Sequence, residues 1–129
     1  MGLYSSLRGR AGSVDVEKVT EQVEPFLLED ETIESAYKIF RDMIIFTNRR
    51  MVLVDVQGFT GKKKKFVSLP YKSITAFSVE TAGYFDGDAT LSIWTTHLPQ
   101  DKPHELEFKK GDSIFDVQKS LVRHAATVL

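Results

Sequence analysis

Four consecutive lysines, Lys62 to Lys65, are the densest run of like charge in the chain. Such a run can hold phosphate or an anionic lipid surface. It can also be a solvated turn that discourages strand-edge pairing. The preceding Gly58-Phe59-Thr60-Gly61 comes near a nucleotide phosphate-binding loop but departs from it. Position 56 is Val where glycine is needed, and position 63 is Lys where a serine or threonine hydroxyl would reach magnesium. Arg49 and Arg50 are the second basic group. On a strand, adjacent residues face opposite ways. One arginine can then meet a carboxylate of a neighbouring subunit while the other faces solvent. Arg49, Arg50 and Lys62, Lys63, Lys64 and Lys65 are therefore the candidate partner- or anion-binding residues.

Other chemistry is thinly represented. His97 and His104 flank one polar loop, and a metal would need a third ligand such as Asp101. Asp86-Gly87-Asp88 has the look of a calcium loop, without further ligands at the required spacing. Glu105 and Glu107 sit on the outward face of an alternating strand. No serine–histidine–aspartate order with a supporting motif and no cofactor fingerprint is present. No catalytic residue, metal ligand or cofactor is assigned, and no nucleic-acid partner is expected.

The elements that must carry these residues are mostly strands. Residues 1–12, with Gly2, Gly9 and Gly12, read as a flexible N-terminal arm, and 13–129 as a single domain. Ser13 is a plausible N-cap, and Val16, Val19 and Val23 recur at helical spacing up to Pro25. Phe26, Leu27 and Leu28 follow as an apolar patch. Strands are expected at 35–41, 43–48, 50–57, about 65–71, 73–82, 89–96 and from His104 to Lys109. Asp42 and Thr47-Asn48-Arg49 supply tight turns, and Gly58 to Lys65 a longer one. Pro70 suits a strand edge. Leu91 and Ile93 share one strand face and Trp94 takes the other. Ser113 with Asp116 forms a variant capping box for a last helix. Ile114, Val117, Leu121, Val122 and Ala125 make its apolar stripe. No connection between strands is long enough for a buried crossover helix, which argues against a parallel sheet.

Composition bounds the rest. A chain of 129 residues, 42% hydrophobic and 27% charged, is by default one globular domain rather than a disordered segment. No apolar run approaches the roughly 18 residues of a membrane span. Cysteine is absent, which removes disulfides, thiolate metal sites and a cysteine nucleophile. No secretory signal is visible, so a cytoplasmic location is expected. The net charge of −1 hides a separation. Residues 14–34 carry eight acids against Lys18, a net of −7, whereas 35–72 carry nine bases against Asp42 and Asp55, a net of +7. Lobes of opposite sign can attract copies of the same chain.

Leu27-Leu28-Glu29-Asp30-Glu31-Thr32-Ile33-Glu34, Asp42 to Arg50 and Ser68-Leu69-Pro70-Tyr71-Lys72-Ser73-Ile74 together resemble the bacterial pleckstrin-homology-like domain family. Phe77 to Gly83 and Leu91-Ser92-Ile93-Trp94 fit the same pattern, so the resemblance spans about residues 20–125. It implies a mainly β (α+β) fold: a seven-stranded, bent antiparallel barrel, a C-terminal capping helix and a short N-terminal helix. It also implies cyclic assembly of single-domain members, often five-fold, and a role as a protein-interaction platform. Phosphoinositide-binding relatives of this fold use basic residues between their first two strands. Here that turn is Arg41-Asp42, and the lysines come later. Met-Gly-Leu-Tyr-Ser-Ser matches the loose myristoylation pattern, but a bacterial resemblance argues against that modification.

The expected function is a non-enzymatic interaction module. It forms a cyclic homo-oligomer, a pentamer, and presents a polar surface to an unidentified protein. Phe26, Leu27 and Leu28 are the candidate oligomer interface. Peripheral binding to an anionic membrane through the lysine run is the alternative.

Overall fold

The computed structural model describes residues 13–40, 42–81, 88–109 and 114–126. The expected arm at 1–12, the Asp86-Gly87 turn and the Ser113 cap lie outside the described residues. The chain divides into two compact units, Met1–Ser68 and Leu69–Leu129.

In the first unit, helix α1 (Ser13–Val23) leads into a single 3-10 turn (Glu24–Phe26), with Pro25 near its start. Proline lacks the N–H that the first turn leaves unpaired anyway, so it starts the new turn where the α-helix stops. Four strands follow: β1 (Ile33–Ile39), β2 (Asp42–Thr47), β3 (Arg50–Gln57) and β4 (Lys63–Pro70), paired in that order. β1, β2 and β3 form an antiparallel meander, with Tyr37 opposite Ile44 and Ile44 opposite Leu53. Val16 and Val23 of α1 pack with Ile33, Ala36, Ile45 and Val52 in one core cluster. β2 is buried on both faces from Met43 to Thr47. That is why its sequence, Met-Ile-Ile-Phe, is a continuous apolar run rather than an alternation.

Two expectations are corrected here. Asp42 does not form the first turn. It opens β2, and its Oδ1 accepts the Val56 N–H at 3.1 Å. Phe40 is the turn residue, at φ +31°, in the left-handed region that costs a side chain steric strain. The lysine run, in turn, does not end the next loop. Lys63, Lys64 and Lys65 are the first three residues of β4.

The second unit holds β5 (Ile74–Thr81), β6 (Ala89–Thr95) and β7 (His104–Phe108), again antiparallel and in that order. Leu91 lies opposite Val79 and Leu106. In β7, Leu106 and Phe108 are buried, and Glu105 and Glu107 are exposed. Trp94 is half-buried on the other face of β6 from Leu91 and Ile93, and its Nε1 donates to the Gln100 carbonyl at 2.7 Å.

Helix α2 (Ile114–Leu121) buries Ile114, Val117, Ser120 and Leu121. The expected stripe fails after that point. Residues Val122–Ala126 form a π-helical turn, and Val122 is 42% exposed. The wider i→i+5 turn rotates each following side chain away from the α-helical stripe. His124 Nδ1 donates to the Ser120 carbonyl at 2.9 Å, and its ring stacks on Tyr71 at 4.7 Å.

Together the elements are mainly β, two antiparallel sheets of four and three strands with an N-terminal and a C-terminal helix. Among the described residues, no helix is long and apolar enough to cross a membrane.

Candidate functional site

Pairing of β1 with β2 begins at Ile33 and Thr47, so the acidic approach to β1 lies beside the basic turn after β2. Asn48 stitches the two together. Its backbone N–H donates to the Thr32 carbonyl at 3.1 Å, its Oδ1 accepts the Thr32 N–H at 2.9 Å, and its Nδ2 donates to the Asp30 carbonyl at 3.0 Å. Thr47 Oγ1 accepts the N–H groups of Arg49 and Arg50, each at 3.0 Å, which closes the turn.

At the centre lies Glu31. Its side chain is 1% exposed, and that of Arg50 is 25% exposed. Arg50 Nε donates to Glu31 Oε2 at 2.8 Å and Arg50 Nη2 to Oε1 at 3.0 Å, a two-pronged pair. Thr47 Oγ1 donates to Oε2 at 2.7 Å, and the Leu28 N–H to Oε1 at 3.1 Å. Burial alone would raise the Glu31 pKa. The hydrogen bonds from Arg50, Thr47 and Leu28, with the Arg50 charge, outweigh it and hold the carboxyl below its ordinary value.

Arg50 reaches further. Its Nη1 donates to Ser68 Oγ at 3.1 Å and its Nη2 to the Phe26 carbonyl at 2.8 Å. All three nitrogens thus have partners inside the chain. Arg49 pairs with Asp30, with both side chains well exposed. Each arginine meets a carboxylate of its own chain. Asp30, Glu31, Thr47 and Asn48 escaped the reading of the sequence. The available signal was an adjacent acid pair and an adjacent basic pair at the two ends of one hairpin.

The clasp fixes the backbone of the apolar patch. Arg50 holds the Phe26 carbonyl, Glu31 holds the Leu28 N–H, and the Glu31 N–H donates to the Leu28 carbonyl at 3.0 Å. Leu27 turns in and packs on the core cluster. Phe26 and Leu28 turn out, 59% and 56% exposed. The Phe26 ring lies 5.5 Å from that of Phe66.

The lysines are sorted by the strand. Lys62, Lys63 and Lys65 are exposed, whereas Lys64 is half-buried and its Nζ donates to the Gly61 carbonyl at 3.2 Å. The turn before them bends at Gly58 and Gly61, at φ +79° and +69°. It carries Phe59, a fully exposed aromatic. His97 is exposed and His104 half-buried. Among the described residues, no three histidine or acidic side chains gather as a metal site would require.

The model of the bacterial PH domain matches residues 2–125. The uncharacterized Bacillus subtilis protein YjqA is 49% identical over 123 residues, covering 94% of this chain and 96% of the relative. The uncharacterized Bacillus subtilis protein YozO is 41% identical over 124 residues, covering 96% and 97%. Among solved structures, a pleckstrin homology domain from Shewanella amazonensis superposes with a TM-score of 0.76 at 41% identity, over 86% of this chain and 88% of that one. A pleckstrin-homology-domain protein from Shewanella loihica gives 0.68 at 41% identity, over 84% and 92%.

Proposed function

The chain belongs to the bacterial PH domain family, and on that premise we propose that it is a non-enzymatic interaction module that assembles with copies of itself. The carrying observation is the pinned pair Phe26 and Leu28. Arg50 and Glu31 fix the backbone there, so two large apolar side chains stand exposed in a set conformation. Ordered, exposed apolar groups suit an interface because little side-chain or backbone freedom is lost on docking. Leu27 serves the interface indirectly, by anchoring the segment to the core.

Charge supports self-association. Exposed Glu17, Glu21, Glu29 and Asp30 belong to the −7 segment, and exposed Arg49 and Lys72, apart from the lysine run, to the +7 segment. Two different patches meeting head to tail must close into a ring or run on as a filament. We assign a closed ring, with five copies the expected number, whose repeated polar turns face a protein partner in the cytoplasm. Exposed ion pairs contribute under about 1 kcal/mol each, so the apolar pair carries most of the contact.

Light scattering coupled to size exclusion tests this. The expected mass is five times the 14.6 kDa of one chain, and F26S/L28S is expected to shift it to one chain with little change in melting temperature. A wild-type protein running as a single 14.6 kDa chain at micromolar concentration overturns the assembly.

A further inference from the structure

We infer that the turn between β3 and β4 is a contact site for an anionic lipid bilayer, with Phe59 as the inserting group and Lys62, Lys63 and Lys65 as its charged collar. This goes beyond self-assembly and uses a different surface from the Phe26–Leu28 patch.

Conformation comes first. Gly58 and Gly61 both occupy the left-handed region, so the chain reverses tightly and projects the two residues between them. At Gly61 an added Cβ would sit 3.4 Å from Val56 Cγ1, already in contact with the strand below. Thr60 Oγ1 accepts the Lys62 N–H at 3.3 Å, and Lys64 folds back onto the Gly61 carbonyl. The turn is braced from within. Phe59, at its tip, is fully exposed.

Placement of charge comes next. Lys64 braces the turn, which leaves Lys62, Lys63 and Lys65 exposed beside the aromatic tip. No acid lies between Val56 and Tyr71 in the sequence. A fully exposed phenylalanine is unfavourable in water and favourable at the boundary between headgroups and acyl chains. Lysines that follow the aromatic tip along the turn and into β4 meet the negative potential of anionic headgroups. A single aromatic with three long, mobile ammonium groups matches a fluid surface that adapts to it. The ammonium donors are flexible and undirected, whereas reading a shaped protein or a nucleic-acid base needs fixed, directional hydrogen-bonding groups.

The chemistry also explains why four lysines occur where three suffice for the collar. One is used internally, and a reading of the run as a uniform patch hides that division.

The test uses the full chain and sedimentation with two vesicle preparations, phosphatidylcholine alone and an equimolar mixture with phosphatidylglycerol. The wild type is expected to sediment with the mixed vesicles only, and less as salt rises. Each lysine removed is expected to weaken binding about fivefold, so K62S/K63S/K65S lowers it about a hundredfold. K18S/K102S/K119S removes the same charge from exposed positions elsewhere and is expected to retain most of the binding. Arginine at 62, 63 and 65 restores it. Phe59→Trp is expected to emit further to the blue when mixed vesicles are added, above the Trp94 background that the wild type records. Failure to sediment with anionic vesicles overturns the inference. So does equal loss in the control triple, or binding without a blue shift, which would be surface charge alone. Binding of the loop to RNA in preference to vesicles likewise overturns it. Because F26S/L28S leaves this turn intact, vesicle binding by that variant separates the bilayer contact from ring assembly.

Discussion

Arg50 and Glu31, nineteen residues apart, form a buried, two-pronged ion pair at 2.8 and 3.0 Å. The pair joins three stretches of the first unit: the approach to β1, the start of β3 and, through Ser68, β4. A buried pair of this kind adds little net stability over an apolar replacement, because both charges lose water. Losing one partner is different, since the other is left charged and buried.

Arg50→Ala is therefore expected to lower stability by about 3–5 kcal/mol. Arg50→Lys is expected to recover only part of it, because one ammonium cannot reach both Glu31 oxygens, Ser68 and the Phe26 carbonyl. Urea unfolding of the two variants measures this. A loss below about 1 kcal/mol for Arg50→Ala, the range of exposed pairs, would show that the clasp is solvated.

Acid should release the same clasp. The Glu31 carboxyl is held below its ordinary value of 4.5, so the folded state favours the ionised form. Its contribution is complete above the unfolded value and is lost as pH falls through the lower folded value. Stability measured from neutral pH downward should therefore fall in that acidic window. Glu31→Gln should start less stable and show a shallower decline. An equally steep acid limb in Glu31→Gln would assign the decline to other carboxylates.

The C-terminal helix gives a paired comparison. Leu121 is fully buried at the end of α2, and Val122 is 42% exposed in the π-helical turn. Leu121→Ala is expected to cost about 2–5 kcal/mol. Val122→Ala is expected to change stability by within about 0.5 kcal/mol. Equal losses at the two positions would mean that the helix continues as a regular α-helix and buries both.

The turn at Gly61 offers a backbone test. With φ at +69°, Gly61→Ala is expected to cost about 1–2 kcal/mol. Lys64→Ala should cost less, since it removes one exposed-end hydrogen bond to the same residue. Thermal melts of both variants check the order.

Strand positions were legible because their signals are local. The alternation His104 to Phe108 needs no partner to be recognised, and all seven expected strands are present with ends within about two residues. Lysine is a poor strand former, so the sequence extends the turn over Lys63 and Lys64, which pairing in the sheet claims for β4. The stripe on the last helix stops at Leu121 rather than running on to Val122 and Ala125, because a 3.6-residue period assumes that the helix stays α. The clasp was invisible for a different reason. The contacts of Arg50 and Thr47 that close it link residues 16 to 24 positions apart, and each half taken alone is an ordinary charged loop. Both arginines were identified as important; their partners were not. Phe59 had a readable signal, a large aromatic between two glycines, but nothing in the sequence says whether such a ring turns inward or outward.

The backbone of residues 26 to 28 is held by the side chains of Arg50 and Glu31, while Leu27 packs on the core cluster. Under the proposed assembly, the outward positions 26 and 28 would be an address carried on a fixed bracket. New side chains there would rewrite which surface the protein recognises while the bracket, whose parts lie at 31, 47 and 50, stays in place. Divergence of binding partners without divergence of fold is the natural outcome of that division of labour.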